Sequence, residues 1–241
     1  MDETTLDVIA VGAHPDDVEI GCGGTLATLA RQGHRVGIVD LTDGEPTPGC
    51  PGPEVRLAES RRAAETLGVL VRTTLELPNR RLFDTFEARV ALAREFRRHR
   101  PRLVLAPGGK TPLASPDHYQ AMLIAEAAVF YARLSKWEDH FGGLAPCPSP
   151  MLLYYHFSLR SLSAEHAHGV VVDVGDVLER KIAAIACYAS QFATRPELLE
   201  RIRTFNCQQG MAAGLSAGEV VFSPAPLATR DLMGLVFGTP S

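Results

Sequence analysis

The sequence predicts an α/β protein: a doubly wound, Rossmann-like parallel sheet flanked by helices, with a C-terminal elaboration. Three observations carry this. Short apolar runs rich in β-branched residues alternate with longer segments of helical periodicity, the pattern of a parallel sheet with crossover helices. Glycine or proline punctuates most of the joins. The 241 residues suit one such domain and can bury a sizeable core.

Leu6 to Gly12 reads as the first strand, and about Val18 to Gln32 as the first helix. Ile20, Leu26, Leu29 and Ala30 fall at helical spacing, with Gly33 as the stop. Gly21, Gly23 and Gly24 crowd the start of this helix and suit close approach to the sheet or of backbone to a ligand. Their spacing does not match the dinucleotide pattern G-x-G-x-x-G. Arg35 to Leu41 is the second strand. Thr42 to Pro53 follows, with four prolines and three glycines, and forms an irregular loop of the kind that carries function. Pro53-Glu54 opens a helix that ends at Leu67 before Gly68. Val69 to Leu77 is a third strand, Asp84 is expected to cap a helix over Thr85 to His99, and Arg102 to Ala106 is a fourth strand. An Ala-rich helix follows Ser115-Pro116-Asp117-His118 and runs to about Leu134. Trp137 to Pro150 is loop. Met151 to Phe157 and Val170 to Val174 are further strands, and helices are expected over Val177 to Ser190 and from Pro196 to about Gly214. The remainder reads as a tail passing through Phe222-Ser223-Pro224, with a last apolar patch at Leu232 to Phe237. No repeat or linker divides the chain. It is read as one domain over residues 1–241, with the part after about residue 145 forming a lobe or cap.

Hydrophobic content of 46% and charged content of 22% are ordinary for a globular protein. The net charge of −4 and the lack of a basic tract argue against a nucleic-acid partner. Arg94 to Arg102 is the nearest candidate and is expected to be the solvated end of a helix closed by Pro101. The five cysteines, Cys22, Cys50, Cys147, Cys187 and Cys207, are scattered and contain no C-x-x-C pair, which argues against disulfides and against a thiolate zinc site. No signal peptide or membrane-length apolar run is seen, so a cytoplasmic location and no membrane partner are expected.

The chemistry concentrates in Ala13-His14-Pro15-Asp16-Asp17, directly after the first strand. Open α/β sheets place ligands at the carboxyl ends of their strands. Imidazole with carboxylate suits a zinc-like divalent ion where no thiolates are offered. His14 and Asp17 are read as metal ligands and Asp16 as a general base. Locally, a polar turn whose Asp caps the next helix, with an exposed His, explains the same residues. His118 stands at a helix start after another strand, and in a parallel sheet such turns converge on one edge. Two His and one carboxylate with an open position is a catalytic rather than a structural set.

With these residues in place, the chain resembles the LmbE-like (PIG-L) family of zinc-dependent N-acetylglucosamine deacetylases. The motifs are Ala-His-Pro-Asp-Asp-Val-Glu-Ile-Gly-Cys-Gly-Gly-Thr at 13–25 and Pro-Asp-His at 116–118. Leu41-Thr42-Asp43-Gly44-Glu45, Arg56 with Glu59, and Leu67-Gly68 follow in the family's order. Val172 to Asp176, Lys181 and Ser190-Gln191-Phe192 resemble the bacillithiol branch, which deacetylates N-acetylglucosaminyl malate. The resemblance implies one Zn²⁺ on His14, Asp17 and His118, Asp16 as the base, a small-molecule amino-sugar substrate, and assembly into a homo-oligomer. It implies Arg56 as the contact for a substrate carboxylate, a task suited to a bidentate donor. A helix-surface pair with Glu54 or Glu59 accounts for Arg56 equally well.

One departure stands out. The family usually has His two residues before the Asp of the second motif, and this chain has Ser115. A hydroxyl donates one hydrogen bond but brings no charge to an oxyanion. Lys110 is a candidate replacement cation, and His156, His166 and His168 are further candidates. Three readings fit: a deacetylase with rerouted acid catalysis, an amidohydrolase for a different N-acyl sugar, or a metal- and sugar-binding module with little turnover.

Overall fold

The structure, a computed structural model, describes residues 4–157 and 169–230. Its first strand, β1 (Val8–Gly12), is buried at every position and lies mid-sheet. The chain then alternates through α1 (Asp17–Arg31), β2 (Val36–Asp40), α2 (Pro53–Leu67), β3 (Val71–Thr74), α3 (Phe86–His99), β4 (Leu103–Pro107) and α4 (Asp117–Tyr131). β5 (Met151–Tyr155), β6 (Val170–Asp173), α5 (Leu178–Ala186), α6 (Ala189–Phe192), α7 (Pro196–Met211) and β7 (Gly218–Phe222) complete it.

The seven strands form one sheet in the order β3-β2-β1-β4-β5-β7-β6. β3, β2, β1, β4 and β5 are parallel neighbours. β7 runs against both β5 and β6, so the parallel expectation fails at that one strand, which the sequence pattern presents as tail. The strand order turns back between β1 and β4: β2 and β3 lie to one side, β4 and β5 to the other. That reversal opens a crevice at the carboxyl edge, where the loops after β1 and β4 diverge.

One face is covered by α3 and α4, whose Leu92, Phe96, Ile124 and Ala128 pack with Ile9 and Val104. On the other face Leu26 of α1 packs with Val8, Ile38 and Leu105, while Leu67, Ile182 and Ile185 join α2 to α5. The glycines of α1 serve packing. A Cβ on Gly21 would sit 2.4 Å from the Tyr155 ring, and one on Gly24 would sit 2.8 Å from Val174. At Cys22 the backbone leaves helical geometry (φ −145°, ψ 22°). The amides released there donate to Glu219 of β7: Gly24 N at 2.9 Å and Thr25 N at 2.6 Å. Lys181 Nζ, also buried, donates to Glu219 Oε1 at 2.7 Å. This carboxylate therefore starts the second half of α1 and fastens it to the C-terminal strand.

Three local expectations need correction. Thr85, not Asp84, caps α3, accepting from Ala88 N, while Asp84 pairs with Arg89. The single helix expected over Val177 to Ser190 is broken, because Ser190 N and Oγ donate to Glu59 at 2.8 and 2.6 Å and turn the chain into α6. Arg97 is not solvated. It is 2% exposed, with its guanidinium 3.5 Å from the Phe141 ring centroid and donating to the carbonyls of Leu144, Tyr131 and Leu134.

Candidate active site

The carboxyl edge brings His14, Asp17 and His118 together, with one ligand atom from each within 4.8 Å of the others. His14 follows β1, Asp17 opens α1, and His118 lies in the first turn of α4. Asp17 Oδ2 accepts from the backbone amides of Ala13 and His14, both at 3.0 Å, which fixes its carboxylate inside the turn. Its oxygens lie 3.4 Å from His14 Nδ1 and 3.5 Å from His118 Nε2. Two imidazoles and one carboxylate, without thiolate, are a donor set for a zinc-like divalent ion. The remaining ring nitrogens have partners of their own: His14 Nε2 meets Asp117 Oδ2 at 3.3 Å and His118 Nδ1 meets Thr111 Oγ1 at 2.8 Å.

Asp16 is held in an unusual backbone state, φ 104°, a region costly for a residue with a Cβ. The polar-turn alternative required its side chain to cap α1, and it makes no such bond. Its Oδ2 instead accepts from Arg56 Nη2 at 2.9 Å, while the same nitrogen donates to the Pro15 carbonyl at 2.6 Å. Arg56 is 3% exposed, and Glu59 is engaged by Ser190, so the helix-surface pairing does not form. Arg56 Nε and Nη1 are buried without a hydrogen-bond partner. Burial pushes Asp16 up to about 6, against the pull of the Arg56 charge. Burial also works against Asp17 ionising, yet His118 and His14 hold it well below the usual carboxylate range. His14 is disfavoured as a cation by burial, but Asp17 and Asp117 raise it to about 10.

These groups line a cavity of about 310 Å³ together with Thr47, Asn79, Arg80, Ser115 and Phe157. Ser115 is at the site but its Oγ accepts from Asp117 N at 3.3 Å, a local turn that leads into α4. The Phe157 ring packs edge-on against His118 with centroids 4.6 Å apart. Lys110 does not fulfil the expectation of a replacement cation. It is exposed, lies outside the cavity lining, and its ammonium is 5.2 Å from the Tyr119 ring centroid. His156 lies outside the lining too, buried with its ring near Phe205, and His166 and His168 fall outside the described residues. Sequence reasoning overlooks Asn79 and Arg80, although they follow β3 at the same sheet edge, the signal that locates His118. It also overlooks Thr111 and the buried Asp117 as partners of the two histidines.

The family model for PIG-L, described as GlcNAc-PI de-N-acetylase, matches residues 9–129, which span both histidines, Asp17 and Asp16. The diacetylchitobiose deacetylase of Thermococcus kodakarensis is 34% identical over 194 residues, 77% of this chain and 70% of its own length. The chain belongs to the PIG-L family. Among solved structures, the conserved protein TT1542 from Thermus thermophilus superposes with a TM-score of 0.83 at 33% identity, covering 95% of this PIG-L chain and 99% of its own. A relative named for different chemistry, the 4-oxalmesaconate hydratase of Pseudomonas putida, is 27% identical over 90% of this chain and 85% of its own length. This PIG-L protein is an enzyme of the deacetylase class, with a His-Asp-His metal-binding group in its cavity. Among the described residues no helix is long and apolar enough to cross a membrane.

Proposed function

We propose that this protein is a zinc-dependent N-deacetylase acting in the cytoplasm on a small N-acetylglucosamine conjugate, with N-acetylglucosaminyl malate, the bacillithiol precursor, as substrate. The observation that carries the reading is the convergence of His14, Asp17 and His118 with Asp16 beside them. Zinc held there supplies Lewis-acid polarisation of the amide and a more acidic water. Asp16 accepts the proton of the attacking water and delivers it to the departing amine, general acid–base work suited to a carboxyl lifted to about 6. Arg56 occupies Asp16 Oδ2, leaving Oδ1 for the proton. The Ser115 hydroxyl, which accepts from Asp117, keeps its own proton to donate to the substrate carbonyl. Phe157 bounds the cavity with an apolar edge suited to the acetyl methyl.

The acidic aglycone is supported by the guanidinium charges of Arg56 and Arg80, both of which line the cavity. The thermococcal relative is named for a neutral disaccharide, so the choice between the two is testable. Purified protein is expected to carry about one zinc per chain. It is expected to release acetate from N-acetylglucosaminyl malate faster than from N,N′-diacetylchitobiose. Absence of release from both sinks the deacetylase reading; faster release from the disaccharide sinks the malate assignment alone. A homo-oligomer is expected from the resemblance, and its test is the mass in solution.

A second reading draws on one specific observation. Ser115 offers no acid–base group, while Arg56 and Arg80 give the cavity a cationic wall that suits a polycarboxylate, the kind of substrate for which the hydratase relative is named. Water addition to an unsaturated dicarboxylate, followed by loss of its conjugated absorbance, distinguishes this from amide hydrolysis.

A further inference from the structure

We infer that Thr111 is the positioning residue that sets which nitrogen of His118 faces the metal. The inference rests on the metal-site reading above and concerns this chain's own residues. An imidazole binds a metal through an unprotonated nitrogen, so the proton must reside on the other one, and the hydrogen bond made by that other nitrogen selects the tautomer. His118 directs Nε2 to Asp17 Oδ1 at 3.5 Å and Nδ1 to Thr111 Oγ1 at 2.8 Å. When a metal takes Nε2, the His118 proton resides on Nδ1 and the Thr111 hydroxyl accepts it, which holds the ring with Nε2 on the side of Asp17 and His14. The ring is 6% exposed, and Phe157 packs edge-on against it, so water does not readily replace the hydroxyl.

His14 is arranged the opposite way, with Nδ1 toward Asp17 and Nε2 on the Asp117 carboxylate. The two ligand histidines thus use different nitrogens, each fixed by a different kind of partner: a carboxylate for one, a neutral hydroxyl for the other. Asp117 adjoins His118 in α4, whereas Thr111 sits in the loop between β4 and α4. The bond from Thr111 therefore also ties that loop to the site, and the loop carries Ser115 into the cavity.

The test compares Thr111→Val, which keeps the shape and removes the hydroxyl, with Thr111→Ser, which keeps the hydroxyl. Zinc affinity is read by competition with a chromophoric chelator. T111V is expected to bind zinc about 10- to 100-fold more weakly, the range for losing an outer partner of a metal ligand, and T111S to stay close to wild type. Nitrogen-15 histidine spectra of the zinc-loaded wild type are expected to show His118 protonated at Nδ1. Affinity unchanged in T111V, or an equal loss in T111S, overturns the inference, as does a His118 protonated at Nε2. Zinc affinity and the ligating nitrogen are read without substrate, so this result separates failure of the inference from failure of the deacetylase reading, which acetate release judges. Matching unfolding curves for the metal-free variants exclude a general loss of fold, and the wild-type spectrum decides the matter if T111V does not fold.

Discussion

Asp16 shows how one residue is prepared for proton transfer. Its strained backbone, its burial and its pairing with Arg56 all derive from the same turn. Burial disfavours the carboxylate, so Asp16 titrates at about 6, above the ordinary value of about 4. The base must be ionised to accept a proton. A divalent ion held beside Asp16 lowers this value, so activity is expected to be full above about pH 6 and to fall at a lower pH as Asp16 takes up its proton. A kcat/KM profile with no acidic limb contradicts this assignment. Asp16→Asn is expected to lower kcat by about 10²- to 10⁴-fold, the usual share of a general base, while zinc binding persists because Asp16 is not among the grouped ligands. Loss of zinc from that variant would place Asp16 on the metal instead. At this scale the sequence is informative where residue type alone restricts the chemistry, as for His14, Asp17 and His118. It is silent on Thr111 and Asp117, whose roles depend on which ring nitrogen they meet.

At the scale of the element, α1 is the decisive piece, because it begins with Asp17 and must lie close against the sheet. Gly21 permits that closeness, with Tyr155 occupying the space a Cβ would take. Tyr155 is fully buried and donates through its hydroxyl to the Val11 carbonyl at 2.9 Å, so it has little freedom to retreat. Gly21→Ala is expected to cost about 1–3 kcal/mol by overpacking and to weaken zinc binding, since the first turn of α1 moves with it. Equilibrium denaturation and chelator competition measure the two effects; a stability change with unaltered zinc affinity would uncouple helix placement from the site. The glycines are legible as a sign of close approach, but what they approach is not. Both Lys181 and Ser190, read as marks of the bacillithiol branch, are committed to internal bonds with Glu219 and Glu59. Those segments report how the C-terminal helices pack and carry little information about the aglycone.

Across the whole molecule, the sheet topology joins residues a hundred positions apart. The reversal between β1 and β4 brings the loops bearing His14 and His118 to one crevice, and the alternation of strands and helices is enough to foresee that. β7 is hidden in the sequence for a physical reason. Glu219 interrupts a short, otherwise apolar run, and a charged residue in so short a segment argues against a buried strand unless its partners are known. Here the partners are Lys181 and the amides of Gly24 and Thr25. Replacing Glu219 by Gln keeps the shape but sets an NH2 donor against the amide of Gly24 or Thr25 and leaves Lys181 as an uncompensated buried charge. This is expected to destabilise the protein by about 3–5 kcal/mol in urea denaturation. A loss below about 1 kcal/mol would mean that water or another carboxylate reaches Lys181.

The grip of Glu219 on α1 also has a meaning in time. All three grouped ligands have left the ribosome once His118 has emerged, yet the carboxylate that fastens the helix beginning at Asp17 comes about a hundred residues later. At about 5–20 residues per second, translation separates the two events by on the order of 5–20 s. During that interval the ligands exist without the frame that holds them in register. Tight metal capture is thus expected only once β7 has been made, so an occupied centre marks a chain translated past Glu219.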